Sequence, residues 1–177
     1  SARPDPSGTD RSTIERRLTS LELAEAAVRL SAPESHRPVQ IAVVGPTQTG
    51  KSTVANLLLG SNCAGVSPLA GYTVHAHGFA FIESPDRPWI DSIFPYWKRA
   101  APGDLARDDV GAYSIQPIDS GPAGLPPCVI WDTPDFDSLA SADYRRAVLE
   151  CTALADVLVL VVSKEKYADL SVWRFLE

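Results

Sequence analysis

The sequence has 177 residues, of which 45% are hydrophobic, with a formal net charge of −6 and three cysteines. This length suits one domain with a packed core, and the acidic balance argues against a sequence-independent grip on nucleic acid, which needs a basic face. No apolar run approaches the ~20 residues that span a bilayer, and no targeting segment opens the sequence. We therefore predict a cytoplasmic protein without a transmembrane segment, whose cysteines lack a C-x-x-C pair and are reduced and structural.

The first 37 residues are predicted to precede the main domain. Residues 1–9 are polar and rich in Pro and Gly, which predicts a disordered tail. Residues 10–37 are predicted to form a helical extension, because Ser12 and Glu15 have capping-box spacing and apolar residues recur every three or four positions. This helix either packs on its own domain or on helices beyond the last residue, or it forms an arm that binds a partner.

Residues 38–177 alternate strands with helices, which is typical of an α/β domain with a parallel sheet. Strands are predicted over 39–44, 74–82, 111–118, 128–131 and 157–162, and helices over 52–59, over 141–154 and from about 169. The run 157–162 is wholly apolar, which predicts a strand that is covered on both faces. Residues 61–72 are predicted to form a loop.

Residues 83–109 have no clean period and are predicted to be an insertion in this domain. Four large aromatic side chains lie in the segment: Trp89, Phe94, Tyr96 and Trp97. They either pack the insertion onto its own domain or contact a partner, because aromatic clusters suit both.

The stretch from Gly45 to Ser52 fits the P-loop (Walker A) pattern G-x-x-x-x-G-K-S/T, between a predicted strand and a predicted helix. In such a loop the glycines permit a tight turn, backbone N–H groups converge on phosphate, and the helix N-terminus adds positive charge. Lys51 is predicted to reach the β- and γ-phosphates, and the Ser52 hydroxyl to ligate magnesium. The predicted nucleotide-binding residues here are Gly45, Pro46, Thr47, Gln48, Thr49, Gly50, Lys51, Ser52 and Thr53.

A second acidic motif, CVIWDTPDFDS at 128–138, places Asp132 at the end of an apolar strand. A carboxylate there can hold magnesium through water, while Thr133, Pro134 and Asp135 turn toward the position of a γ-phosphate.

The two motifs together resemble those of the translation-factor-related P-loop GTPases, particularly the Era-like and dynamin-like branches, whose switch II signature is D-T-P-G. The resemblance covers about residues 39–176. It implies a doubly wound, mostly parallel sheet with flanking helices, incomplete at its C-terminal edge because the guanine-reading N-K-x-D motif would follow residue 177. It further implies a switch that binds GTP or GDP, hydrolyses GTP with Mg²⁺ and controls a protein effector by conformational change.

Two positions depart from the family pattern. Asp135 stands where the family has a glycine whose N–H binds the γ-phosphate, and its carboxylate is expected to repel that phosphate unless it turns away or meets magnesium. Phe136 stands where Ras-like enzymes have a catalytic glutamine, and an apolar ring cannot orient water. The resemblance implies that such relatives position water by another group, by a monovalent cation or by a G-domain dimer across the nucleotide, and Gln48 is the candidate group here.

The resemblance also implies a threonine that completes the magnesium shell, for which Thr73 is the first candidate and Ser67 the second. The implied catalytic residues are therefore Lys51, Thr73 and Gln48. The implied metal ligands are Ser52, Thr73 and Asp132, and Asp135 joins the nucleotide contacts.

Two other functions stay open at this point. A nucleotide-binding module that does not hydrolyse would account for both departures from the family pattern. A P-loop ATPase or kinase is the other alternative, because the preference for guanine comes from the resemblance alone.

Overall fold

The structure is a computed structural model that describes residues 17, 20, 21, 23–25, 28, 37–65, 74–82, 93, 94, 97–106, 109, 111–119, 124–136, 141–170, 172 and 173. The strands are β1 (Val39–Val44), β2 (Ala76–Phe81), β3 (Lys98–Arg99), β4 (Ala112–Pro117), β5 (Cys128–Asp132) and β6 (Val157–Leu160). The helices are α1 (Lys51–Leu59) and α2 (Ser141–Leu154), with a 3₁₀ turn at Pro102–Asp104. The described residues between 17 and 28 and between 170 and 173 are helical.

These strands form one sheet in the order β3-β4-β2-β5-β1-β6. Every neighbouring pair is parallel except β2 and β5, which run antiparallel. The mostly parallel sheet with flanking helices confirms the predicted P-loop NTPase class of α/β fold.

Strand β1 is buried on both faces because each face carries a helix. Ile41 and Val43 pack in the cluster that includes Ala55 and Leu59 of α1. The alternate residues of β1 pack in the opposite cluster, with residues of α2. A continuous apolar strand of this kind is what a sheet covered on both sides requires.

Trp131 anchors β5 in the core and thereby positions the end of that strand. The antiparallel register places Gly78 opposite Trp131, and a Cβ at Gly78 would lie 2.9 Å from the indole ring. The indole Nε1 donates a hydrogen bond to Gln40 Oε1 at 2.8 Å, so this fully buried ring has its polar atom satisfied.

The structure differs from expectation at both edges of the sheet: one prediction was wrong and one strand was missed. Strand β6 lies at the sheet edge and is not covered on both faces, since Val157 and Leu158 are 47% and 41% exposed. Strand β3 lies inside the segment 83–109 and was not predicted, since two residues are too few to show a period. It is a strand because it pairs with β4.

The aromatic residues of that segment are described in part. Phe94 is fully buried, stacks on Trp97 with ring centroids 4.9 Å apart and contacts Trp131 edge-on. These two side chains therefore pack onto their own domain, whereas Trp89 and Tyr96 lie outside the described residues. The predicted tail 1–9 also lies outside them.

Cys63, Cys128 and Cys151 are free thiols, as predicted. Among the helices that the structure describes, none is long and apolar enough to cross a membrane.

Candidate functional site

The two predicted motifs meet at one edge of the sheet. Strands β1 and β5 are adjacent and parallel, with Val43 opposite Asp132, so their carboxyl ends lie side by side. Ser52 Oγ, in the first turn of α1, donates a hydrogen bond to Asp132 Oδ2 at 2.7 Å. Ligand sites in open α/β sheets lie outside the carboxyl ends of the strands, so this edge is the candidate site.

The loop between β1 and α1 has the backbone of an anion-binding turn. Gln48 has a φ of 59° and is the only non-glycine residue with a positive φ in the described part of the chain. Gly50 has a φ of 90°. Such left-handed residues within a right-handed turn direct successive N–H groups to one side of the chain. The first turn of α1 contains no acidic residue that would neutralise its N–H groups.

Gly45 is required for a reason other than phosphate binding. A Cβ at this position would collide with the carbonyl oxygen of Val161 and lie 2.9 Å from Thr49 Oγ1. The chain that follows β6 thus passes directly against the loop, held by a hydrogen bond from Val161 N to Val44 O at 2.8 Å.

Lys51 points into the protein and is held by two acceptors. Its side chain is 5% exposed, and Nζ donates to Pro46 O at 3.0 Å and to the carboxylate of Asp135. Asp135 is also buried, so the two charges form an ion pair that is shielded from water. From the sequence, the carboxylate of Asp135 was expected to repel a γ-phosphate unless it turned away or met magnesium, and its pairing with Lys51 was not predicted.

Asp132 combines deep burial with incomplete hydrogen bonding. Burial raises the pKa of its carboxyl to about 6, and the nearby Asp135 raises it further, while the hydrogen bond from Ser52 and the charge of Lys51 oppose the rise. Oδ1 of Asp132 is buried and has no hydrogen-bond partner among the residues that the structure describes. Carboxylate and hydroxyl oxygens are ligands that Mg²⁺ prefers, so Asp132 and Ser52 fit a magnesium ion.

The comparison with protein families bears on these motifs directly. The sequence profile of the family described as 50S ribosome-binding GTPase matches residues 40–177, which is most of the chain. The chain belongs to this family of P-loop GTPases. The comparisons with curated proteins and with solved structures each gave no match. Membership of a GTPase family implies that the chain binds guanine nucleotide.

In this GTPase-family domain Thr133 fixes the start of the segment after β5. The residue is fully buried, and its Oγ1 donates to the carbonyl oxygen of Val43 at 2.9 Å. Sequence reasoning placed Thr133 in a turn and missed this contact, since the partner lies on another strand.

The remaining predicted site residues have different surroundings. Gln48 and Thr53 are exposed, and Thr49 Oγ1 donates to Pro46 O at 2.8 Å. Phe136 is partly buried and packs against the core cluster that includes Trp131. Thr73 and its alternative Ser67 lie outside the described residues, so their predicted roles stay predictions.

The described residues contain no group of three or more His, Cys, Asp or Glu side chains arranged for a metal. His77 Nδ1 lies 2.8 Å from Ser114 Oγ, and burial lowers its pKa to about 4, with the neighbouring His75 adding to this effect. Both observations are those of a neutral structural histidine.

Proposed function

We propose that this chain is the nucleotide-binding part of a switch that binds guanine nucleotide with Mg²⁺, hydrolyses GTP and controls a partner by conformational change. The observation that carries the proposal is the hydrogen bond between Ser52 and Asp132, which joins the phosphate-loop motif to the acidic motif. Two sequence-distant motifs of a GTPase family gain their chemistry only when they lie together.

The loop and Lys51 are proposed to hold the phosphates. The N–H groups of Gly45 and of residues 47–52, together with the N-terminus of α1, supply partial positive charge, and Lys51 supplies a full one. Hydrolysis would be phosphoryl transfer to water, in which these groups stabilise the charge that develops on the phosphate oxygens.

Ser52 and Asp132 are proposed to hold Mg²⁺, with Thr73 as a further ligand. When bound, the ion neutralises charge on the phosphate oxygens. Asp132 suits this role because it is buried beside Ser52 with one oxygen unpartnered in the described chain, and its pKa of about 6 leaves most molecules ionised at neutral pH.

The conformational change is proposed to involve the segment that begins after Thr133. Thr133 is tied to β1, whereas the following residues contact Lys51 and the core by side chains that a phosphate would disturb. Loops that order and disorder with the γ-phosphate are a common switching device. The effector that would read this segment is a protein of unspecified identity.

A nucleotide-binding module that does not hydrolyse is the second candidate. It is favoured by the ion pair of Lys51 with Asp135 and by Phe136, whose ring packs on the core and offers no group to orient water. Gln48, alone or with a monovalent cation or a G-domain dimer, is the proposed substitute in the hydrolytic alternative.

The first experiment measures nucleotide binding and phosphate release by the intact protein. GTP with Mg²⁺ should bind and release phosphate, and Lys51→Ala should abolish both, whereas Lys98→Ala, an exposed lysine on β3, should change neither. Equal rates for the wild type and Lys51→Ala would reject the enzyme. Binding that depends on Lys51 without phosphate release would favour the second candidate.

A second experiment tests the base and the water-positioning group. Unlabelled ATP should fail to displace labelled GDP at concentrations where GTP displaces it, and preferential displacement by ATP would indicate an ATPase or kinase. Gln48→Ala, compared in sodium and potassium buffers at saturating GTP, should lower the rate of phosphate release. An unaltered rate would remove Gln48 from the catalytic set.

A further inference from the structure

The ion pair of Lys51 lies where the proposed function needs a phosphate. The lysine of a P-loop contacts the β- and γ-phosphates of its nucleotide. Here the Asp135 carboxylate and the Pro46 carbonyl oxygen already accept hydrogen bonds from Nζ. We propose that Asp135 competes with the terminal phosphate of a nucleoside triphosphate for Lys51, so that the site favours the diphosphate. This inference rests on the proposed function.

The competition follows from charge. Lys51 and Asp135 are both less than a tenth exposed, so neither charge is screened effectively by water. A diphosphate either leaves the ion pair in place or contacts Lys51 Nζ with its β-phosphate while Asp135 stays bound to the same ammonium group. A γ-phosphate brings a second anion to the same ammonium group, and either the two anions repel each other or the carboxylate must leave.

Departure of the carboxylate is expected to move the chain around it. Asp132 and Thr133 are held by Ser52 and by the carbonyl oxygen of Val43, so the first freely movable position lies beyond them. Asp135 is two residues after Thr133 and directly precedes Phe136, which packs against the core. Displacement of Asp135 would therefore shift the packing of Phe136. The position of the Phe136 side chain would then depend on whether the terminal phosphate is present.

Asp135→Asn tests this competition because it removes the charge and keeps the size of the side chain. Asp104→Asn is the matched control, since Asp104 is exposed in the 3₁₀ turn beside β4, two strands away from β5. The dissociation constants of GDP and of guanosine 5′-(β,γ-imido)triphosphate are measured by calorimetry with Mg²⁺ on the intact protein.

Asp135→Asn should raise the affinity for the triphosphate relative to GDP about tenfold, whereas Asp104→Asn should leave the ratio within twofold. A change below threefold in Asp135→Asn, or a shift toward GDP, overturns the inference while nucleotide binding itself stands. A shift toward GDP is the result expected if Asp135 helped to bind magnesium with the triphosphate instead. Failure of the folded wild type to bind either nucleotide at millimolar concentration overturns the proposed function as well.

Hydrogen exchange of the wild type provides a test that does not depend on a folded variant. Exchange of the peptide spanning residues 132–136 is measured without nucleotide, with GDP and with the imido analogue, and its rate should differ between GDP and the analogue. Identical exchange in all three states, at saturating nucleotide, contradicts the displacement of Asp135.

Discussion

Replacing Lys51 by Met should destabilise the nucleotide-free protein strongly, because it leaves the Asp135 carboxylate buried without its cation. The two side chains are only 5% and 9% exposed. Removing one partner of a buried pair costs about 3–5 kcal/mol, since the remaining charge is neither hydrated nor neutralised. Loss of the hydrogen bond to Pro46 O adds to the effect. A loss of about 4 kcal/mol would be a large part of the ~5–15 kcal/mol that stabilises a typical domain.

Urea unfolding without nucleotide or magnesium, followed by tryptophan fluorescence, measures this loss. The double variant Lys51→Met/Asp135→Asn should recover at least half of it, because the buried charge is gone. Lys98→Met, at an exposed position, should change stability by less than about 0.5 kcal/mol. A loss below about 1 kcal/mol in Lys51→Met, or a double variant whose loss equals the sum of the two single losses, would refute the reasoning.

Three further variants test other contacts. Gly45→Ala should cost about 1–3 kcal/mol in thermal unfolding because its Cβ collides with Val161 O, whereas Gly103→Ala, which meets open space, should be nearly neutral; equal effects would contradict the close approach. Asp132→Asn should stabilise the nucleotide-free protein by about 2 kcal/mol at pH 7. The folded-state pKa of Asp132 is about 6, above the ordinary 3.8, so the wild type loses stability as the pH rises from about 4 to 6. A wild-type and variant pair with parallel pH profiles would exclude this. The wild-type protein should lose stability between about pH 6.5 and pH 4, because the pKa of His77 of about 4 keeps the folded imidazole neutral where the unfolded one takes a proton. His77→Gln should reduce this loss by about 2 kcal/mol. The same loss in the variant and the wild type would be inconsistent with the burial of His77.

Much of the fold could be predicted because it depends on local patterns. The predicted bounds of β1 and α2 match the structure, since a continuous apolar run and a helical period are each contained in one segment. Gly60 ends α1 in the left-handed conformation, and a glycine directly after a helix is the residue type that favours it. The adjacency of Ser52 and Asp132 followed from the motifs together with the family pattern.

Other features could not be read from the sequence because they depend on chain segments far apart. Exposure of Val157 and Leu158 depends on the position of β6 in the sheet, and an apolar run contains no information about its neighbours. The same is true of β3, whose two residues are strand only because β4 lies beside them.

The amino-acid sequence by itself determined the two motifs, the alternation of strands and helices, and the candidate roles of Lys51, Ser52 and Asp132, because residue type and spacing suffice for these. Thr73 became a candidate only through the family resemblance. Only the tertiary structure decided that Asp135 meets Lys51, 84 residues away along the chain. An ion pair depends on the distance between two charges in space, and that distance is set by the order of β5 and β1 in the sheet, not by their separation in sequence.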